Sequence, residues 1–248
     1  MNIRLYLERL EAPERRTGWL PYLTELQTNH VRKIPFENLD IIRKVPLSMK
    51  PERLERKIVL GGRGGVCYEL NGLFHHLLRG LGFDVRLAAA TTRTPDGWSP
   101  YENTHMLNIV DIDGSLFVAD VGFGGNSPGA PVPLDGEEVR DADGFYRTVR
   151  EEDYYVLQKR EAEDWAPLYR FRTEEKRVED FGQACQFVQT SPESPFNRRV
   201  FVSRATDRGR VTLSGDSLTI VEDGEKRKIA LREHEIPDAL RRWFNLGP

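Results

Sequence analysis

The sequence predicts an α+β protein on three observations. Apolar residues recur at helical spacing through the first third, apolar and polar residues then alternate with a period of two, and a last helical pattern closes the chain. At 248 residues there is room for one large domain, or for two to three lobes that share a core.

In the opening stretch "NIRLYLERL", Ile3, Tyr6, Leu7 and Leu10 share one helical face. "TGWLPYLTELQTNHVRKI" repeats the pattern with Leu20, Leu23, Leu26 (or Gln27), His30, Val31 and Ile34, behind a Thr17 cap, until Pro35 stops it. "PERLERKIV" reads as a third helix with Pro51 in its first turn. The fourth is the strongest: from Tyr68 onward, Leu70, Leu73, Phe74, Leu77, Leu78 and Leu81 line one face, and Gly82 stands where a C-terminal cap belongs. Period-two segments follow in "DVRLAAATT", "HMLNIVDI", "SLFVADVGF", "FYRTV", "YYVLQ" and "LYRFR", with short polar turns between most of them, which predicts an antiparallel meander or barrel. After Cys185, "FVQT", "RVFVSRAT", "RVTLSG" and "LTIVED" read as strands, and "IPDALRRWF" as a final helix. Two loops rich in proline and glycine, "RTPDGWSPYEN" and "GGNSPGAPVPLDG", have lengths that often carry function.

Composition narrows the partners. Hydrophobic residues at 39% and charged residues at 30% mark a folded chain. A net charge of −3 with acids and bases interspersed, and no basic face, argues against nucleic acid. No apolar run approaches the roughly 18 residues of a membrane span, and none of signal-peptide length stands near the start. Cys67 and Cys185 make neither a disulfide framework nor a metal knuckle, so the expectation is a cytoplasmic protein with reduced thiols and no metal.

The chemistry centres on "GGRGGVCYELNG", which delivers Cys67 to the start of the strongest helix. Unpaired amide N–H groups and the positive end of the helix dipole favour thiolate there. An imidazolium partner would take the pKa into roughly the 3.5–7.5 range. Among five histidines, His75 and His76 lie too far along the same helix to reach the thiol, and read as a partly exposed pair. His105 opens a strand, and the next carries Asp120. Between them Asp113-Gly114 is a two-residue hairpin signal that pairs Ile112 with Ser115, so His105 and Asp120 project from one face as diagonal neighbours. Cys67, His105 and Asp120 thus fit a nucleophile, base and orienter that forms an acyl-enzyme. The triad alone leaves open whether water, an amine or another thiol removes the acyl group. Cys185 and His30 read as core residues.

The blocks "IPFENLD", "RGGVCYELNGLF", "HMLNIV", "VADVGFGG" and "SPESPF", in this order and spacing, resemble the arylamine N-acetyltransferase family. The resemblance implies a papain-like Cys-His-Asp scaffold: a helical lobe over 1–84, an antiparallel β-barrel over 85–185 and an α/β lid over 186–248. It implies a ping-pong reaction in which Cys67 takes an acetyl group from acetyl-coenzyme A, a co-substrate rather than a tightly bound cofactor. An arylamine, arylhydrazine or N-hydroxyarylamine then collects it. The resemblance places Phe36, Val66 and Phe123 at the acceptor pocket, and Gly124 and Gly125 at the coenzyme A donor. Val66 stands where many relatives carry an aromatic residue, and the chain ends at "RRWFNLGP", short for the family. The rival readings are an amide synthase or thiol hydrolase on the same triad, and a catalytically silent relative that binds coenzyme A or an aromatic ligand.

Overall fold

A computed structural model describes residues 1–15 and 18–247. Helix α1 (Ile3–Leu10) starts at Asn2, whose side-chain oxygen accepts the Leu5 N–H, and buries Tyr6, Leu7 and Leu10. Helix α2 (Trp19–Lys33) buries Tyr22, Leu23, Leu26, Gln27, His30 and Val31. Its apolar stripe thus runs through Tyr22, while Leu20, expected inside, is exposed. The cap expected at Thr17 lies outside the described residues. His30 Nε2 sits 2.8 Å from the Tyr6 hydroxyl, a core contact. Pro35 ends α2 as expected by forcing Ile34 into an extended conformation.

A short strand β1 (Phe36–Glu37) and the turn-length helices α3 (Leu39–Ile42) and α4 (Pro51–Leu54) follow. The helix expected over "PERLERKIV" changes pitch, continuing past Leu54 as a π-helical stretch over Glu55–Leu60. Helix α5 (Cys67–Gly80) is the axis of the first core, with eleven buried residues, and Gly82 behind it has a φ of +92° that favours glycine.

The period-two region forms one antiparallel sheet. Its strands are β2 (Asp84–Thr94), β3 (Gly97–Trp98), β4 (His105–Ile112), β5 (Ser115–Ala119), β6 (Val132–Pro133), β7 (Val139–Asp141), β8 (Gly144–Glu151), β9 (Tyr154–Glu161) and β10 (Asp164–Phe171). They lie in the order β6-β5-β4-β2-β10-β9-β8-β7, with β3 on β2. Thr148 of β8 donates to the Pro133 carbonyl of β6 at 2.7 Å, which nearly closes the barrel around Leu107, Ile109, Val118, Leu157 and Tyr169. The β4–β5 hairpin turns through Asp113 (φ 54°) and Gly114 (φ 84°), both in the left-handed region that a two-residue primed turn requires, and pairs Ile112 with Ser115. The strand expected over "SLFVADVGF" ends at Ala119, so Asp120 lies just past it.

The last third corrects one expectation. "FVQT" is the end of a helix, α6 (Gly182–Thr190), with Cys185 and Val188 on its buried side. A four-residue apolar run carries no period of its own, and the flanking glutamines and alanine let it continue a helix. The lobe boundary expected after residue 185 therefore falls inside α6. Strands β11 (Phe201–Thr206), β12 (Gly209–Ser214), β13 (Ser217–Glu222) and β14 (Glu225–Ala230) follow, and helix α7 (Ile236–Phe244) packs Leu240 and Phe244 against Val202, Val211 and Leu213. β14, "EKRKIA", was not anticipated: it is an exposed, charged edge strand with no apolar alternation.

The five-stranded sheet runs β1-β11-β12-β13-β14, so a strand from the first third is its edge. Two buried polar residues fasten this layer to the rest. The Asn38 side chain donates to the carbonyls of Phe196 and Arg199 and accepts the Phe201 N–H. Arg210 of β12, 5% exposed, reaches Asp143 at 2.8 Å and donates to the carbonyls of Gly124 and Ser127 at 3.0 and 2.8 Å. Arg210→Met leaves two carbonyls without their donor and Asp143 with Lys159 as its remaining cation, and is expected to lower unfolding free energy by about 2–3 kcal/mol in urea denaturation.

Candidate active site

The glycine-rich loop ahead of α5 is shaped by close packing. A Cβ at Gly64 would overlap the Pro35 carbonyl oxygen, and the Glu37 N–H donates to Gly65 at 2.9 Å. At Gly64 and Gly65 the loop thus lies along β1 with no room for side chains, which brings the start of α5 beside Phe36. Charged residues fix it from below. Arg63 donates to Glu37 and Asp40, both at 2.9 Å, and Lys57 Nζ lies 2.8 Å from Asp40 and from both Glu69 oxygens. The Glu69 carboxylate reaches back to the Val66 N–H at 3.2 Å. Burial raises its pKa to about 7 against the pull of Lys57.

Cys67 begins α5, 7% exposed, on the wall of a half-open cleft of about 1120 Å³. His105, the first residue of β4, lines the same cleft. The Met106 and Tyr68 amide N–H groups face the sulfur. Gly122, beyond β5, allows the approach: a Cβ there would lie 2.9 Å from the Cys67 Cα. The electrostatics differ from the expectation of a depressed thiol. Burial pushes the Cys67 pKa well above the ordinary value of 9, and the two amides offset only part of that rise. The loss of hydration outweighs what the helix N-terminus and its amides return, which makes a base that accepts the Cys67 proton the natural route to the thiolate.

His105 Nε2 lies 2.7 Å from Asp120 Oδ2, with both residues buried, and this leaves Nδ1 as the ring nitrogen not engaged by the carboxylate. Asp120 takes three further donors: Tyr169 OH at 2.8 Å on Oδ2, and Asn71 Nδ2 and the Gly122 N–H, each at 2.8 Å, on Oδ1. Burial alone would raise the carboxyl pKa. The charge of His105 and these hydrogen bonds outweigh it and hold the carboxyl below its usual range. Asn71 also donates to the Met106 carbonyl at 2.6 Å and accepts the Val121 N–H, so α5 is pinned to both barrel strands beside the site. His105, Phe123 and Tyr169 form a ring cluster with centroids 4.9–5.0 Å apart.

Asn71 and Tyr169 were not singled out from the sequence. Asn71 stands four residues after Cys67, on the same helical face, and a buried amide at that spacing is a usable signal. Tyr169 belongs to an ordinary alternating strand and carries none. His75, expected to be half exposed, is buried and lies 3.1 Å from the Asn108 side chain, which in turn donates to the Asn71 carbonyl.

Phe36 and Phe123 both line the cleft, as do Gly124 and Gly125. Gly124 has a φ of +64°, and a Cβ on it would meet the Phe36 and Phe201 rings. Val66 does not line the cleft. Its side chain points into the helical core, because its backbone serves as the cap of α5. At the mouth, the loop carrying Tyr101 meets the last lobe: its hydroxyl donates to Glu193 at 2.7 Å and its ring lies 4.5 Å from Phe187. Among the described residues no three His, Cys, Asp or Glu side chains are grouped to hold a metal ion.

Known proteins resemble the whole chain. The N-acetyltransferase family model matches residues 19–247. An Escherichia coli arylamine N-acetyltransferase is 34% identical, over 91% of this chain and 82% of its own. The crystal structure of a Bacillus cereus arylamine N-acetyltransferase with a Cys-His-Glu triad superposes with a TM-score of 0.91 at 30% identity, covering all of both chains. A Mycobacterium marinum arylamine N-acetyltransferase solved with coenzyme A gives 0.92 at 33% identity, over 98% of this chain and 92% of that one.

Two variants probe the geometry. Tyr169→Phe removes one donor from a buried carboxylate and is expected to cost about 2 kcal/mol of stability in urea denaturation. In His105→Ala the thiol loses its base, so alkylation of Cys67 by iodoacetamide should rise only at alkaline pH, with a midpoint above the ordinary thiol value of 9. A midpoint at or below neutrality would show that the amides suffice.

Proposed function

The chain belongs to the arylamine N-acetyltransferase family, and from that premise we infer that it moves an acetyl group from acetyl-coenzyme A to an arylamine, with Cys67 as the carrier. The observation that supports this reading most is the buried His105–Asp120 pair, whose ring shares the cleft with a thiol whose environment resists ionisation.

In this reading His105 Nδ1 takes the Cys67 proton as the sulfur attacks the thioester carbonyl, and the proton then goes to the departing coenzyme A sulfur. Asp120 holds the ring in the tautomer and orientation that this needs, and stabilises the imidazolium between the two steps. Thioester-to-thioester exchange is close to balanced, so the acyl-enzyme forms without a large driving force. An arylamine is mostly uncharged near neutral pH. Its lone pair attacks the acetyl-Cys67 carbonyl, the C–S bond breaks, and the proton shed by nitrogen passes through His105 to the thiolate, leaving an amide and the free thiol.

The cleft supports the substrate classes. Phe36 and Phe123 offer aromatic faces to a planar acceptor, and the Gly124–Gly125 turn offers backbone to the donor. A helical lobe over 1–84 would then supply the nucleophile, a barrel over 85–185 the base and its orienter, and a lid over 186–248 the wall that keeps water from the acyl-enzyme. The free thiols of Cys67 and Cys185 are in keeping with a reducing, cytoplasmic setting. An amide synthase or thiol hydrolase would share the triad, and the dependence of coenzyme A release on the amine separates them.

Mixing the full chain with acetyl-coenzyme A and no amine is expected to leave one acetyl group on Cys67 by mass spectrometry, and later addition of an arylamine should remove it as the acetamide. Loss of the acetyl group to water at the same rate without amine would favour the hydrolase. Cys67→Ala should fold and bind but give no turnover. Amide formation by that variant near the normal rate would end the proposal.

A further inference from the structure

A second cavity, of about 400 Å³, lies between the end of α2 and strand β11 and shares no residue with the catalytic cleft. Glu11, Asn29, Arg32, Lys33 and Arg204 line it, with the β11–β12 turn at its rim. Arg32 pairs with Asp207 at 2.7 Å, and Lys33 pairs with Glu11. Arg204 is different. Its Nε is buried with no hydrogen-bond partner, and among the described residues no carboxylate pairs with its guanidinium. Arg9, on the neighbouring helix α1, is in the same condition, with a buried Nε that has no acceptor. The charge of Arg9 is felt at Arg204 and at His30. Among the described residues that line the cavity, Arg32, Lys33 and Arg204 face Glu11 and Asp207, and the unpaired one is an arginine, whose planar fork matches phosphate oxygens.

An arginine side chain partly withdrawn from water without an acceptor, on the wall of a cavity, marks a site in want of an anion. We propose that this cavity binds a compact phosphate or diphosphate group, held by Arg204 from below and by Arg32 and Lys33 at the mouth, with Arg9 behind the wall. Its occupant would join α2 to β11. The first leads through Pro35 to Phe36 and the second begins at Phe201, and both of those rings line the catalytic cleft. The site is independent of the acetyl-transfer chemistry, and failure of either reading leaves the other standing.

The probe is inorganic pyrophosphate, titrated into the full chain by isothermal calorimetry at constant ionic strength. One saturable site is expected. Arg204→Met should weaken it by about tenfold or more, the loss of one charge-assisted fork. Asp207→Asn should tighten it, since that substitution frees Arg32. Asp207 is 86% exposed, so this variant reports even if Arg204→Met fails to fold. Arg199, in the catalytic cleft, is the control, and Arg199→Met should leave pyrophosphate binding unchanged. Absence of saturable heat overturns the proposal. So do equal affinities for wild type and Asp207→Asn, or loss of binding in Arg199→Met, which would place the anion in the cleft.

Discussion

The Asp120 carboxylate is the point on which the molecule turns. It is an ionised group with no exposed surface, a costly arrangement unless its lone pairs are occupied. Four donors occupy them, and they come from four parts of the chain: His105 from β4, Asn71 from α5, Gly122 from the loop after β5 and Tyr169 from β10. The helix that carries the nucleophile and the barrel that carries the base are therefore held together by the group that orients the base. Stability and reactivity draw on the same hydrogen bonds, so the site cannot loosen without the interface loosening too.

Much of this was legible in the sequence, for identifiable reasons. The fourth helix showed an unbroken 3.6-residue stripe and delivered Cys67 to its first position. Asp113-Gly114 set the register of the His105 hairpin, because only left-handed residues make so short a turn. What escaped was information that sequence order does not carry. Tyr169 meets Asp120 across 49 positions, a contact that only barrel closure creates. "FVQT" was too short to show a period, and β14 is stabilised by edge pairing rather than by an apolar face. Val66 was assigned to the pocket by resemblance, but as the cap of α5 its side chain turns into the core. The thiol was expected to be acidic from its helix terminus and an imidazolium partner, whereas burial pushes its pKa up against the two facing amides.

The lid explains why the cleft has a defined shape. Its sheet borrows β1 from the helical region, so Phe36 and Phe201 face each other from paired strands with ring centroids 5.9 Å apart. Arg210 carries a positive charge from the far side of that sheet to the loop that follows Phe123, and holds Gly124 by its carbonyl. The positions of Phe36, Phe123 and the Gly124 turn are thus set by one continuous structure, and the rim contact of Tyr101 with Glu193 spans the opening between barrel and lid.

The β4–β5 hairpin has a bearing on how the chain reaches this state. His105 and Asp120 are only 15 positions apart, and a two-residue turn aligns them, so their contact is a low-contact-order event of the kind that forms on the microsecond scale. Cys67 and Tyr169 join through far longer loops, whose closure is slow and entropically opposed. Two members of the catalytic constellation thus need only a short loop to close, whereas bringing the nucleophile to them takes the docking of α5 on the barrel.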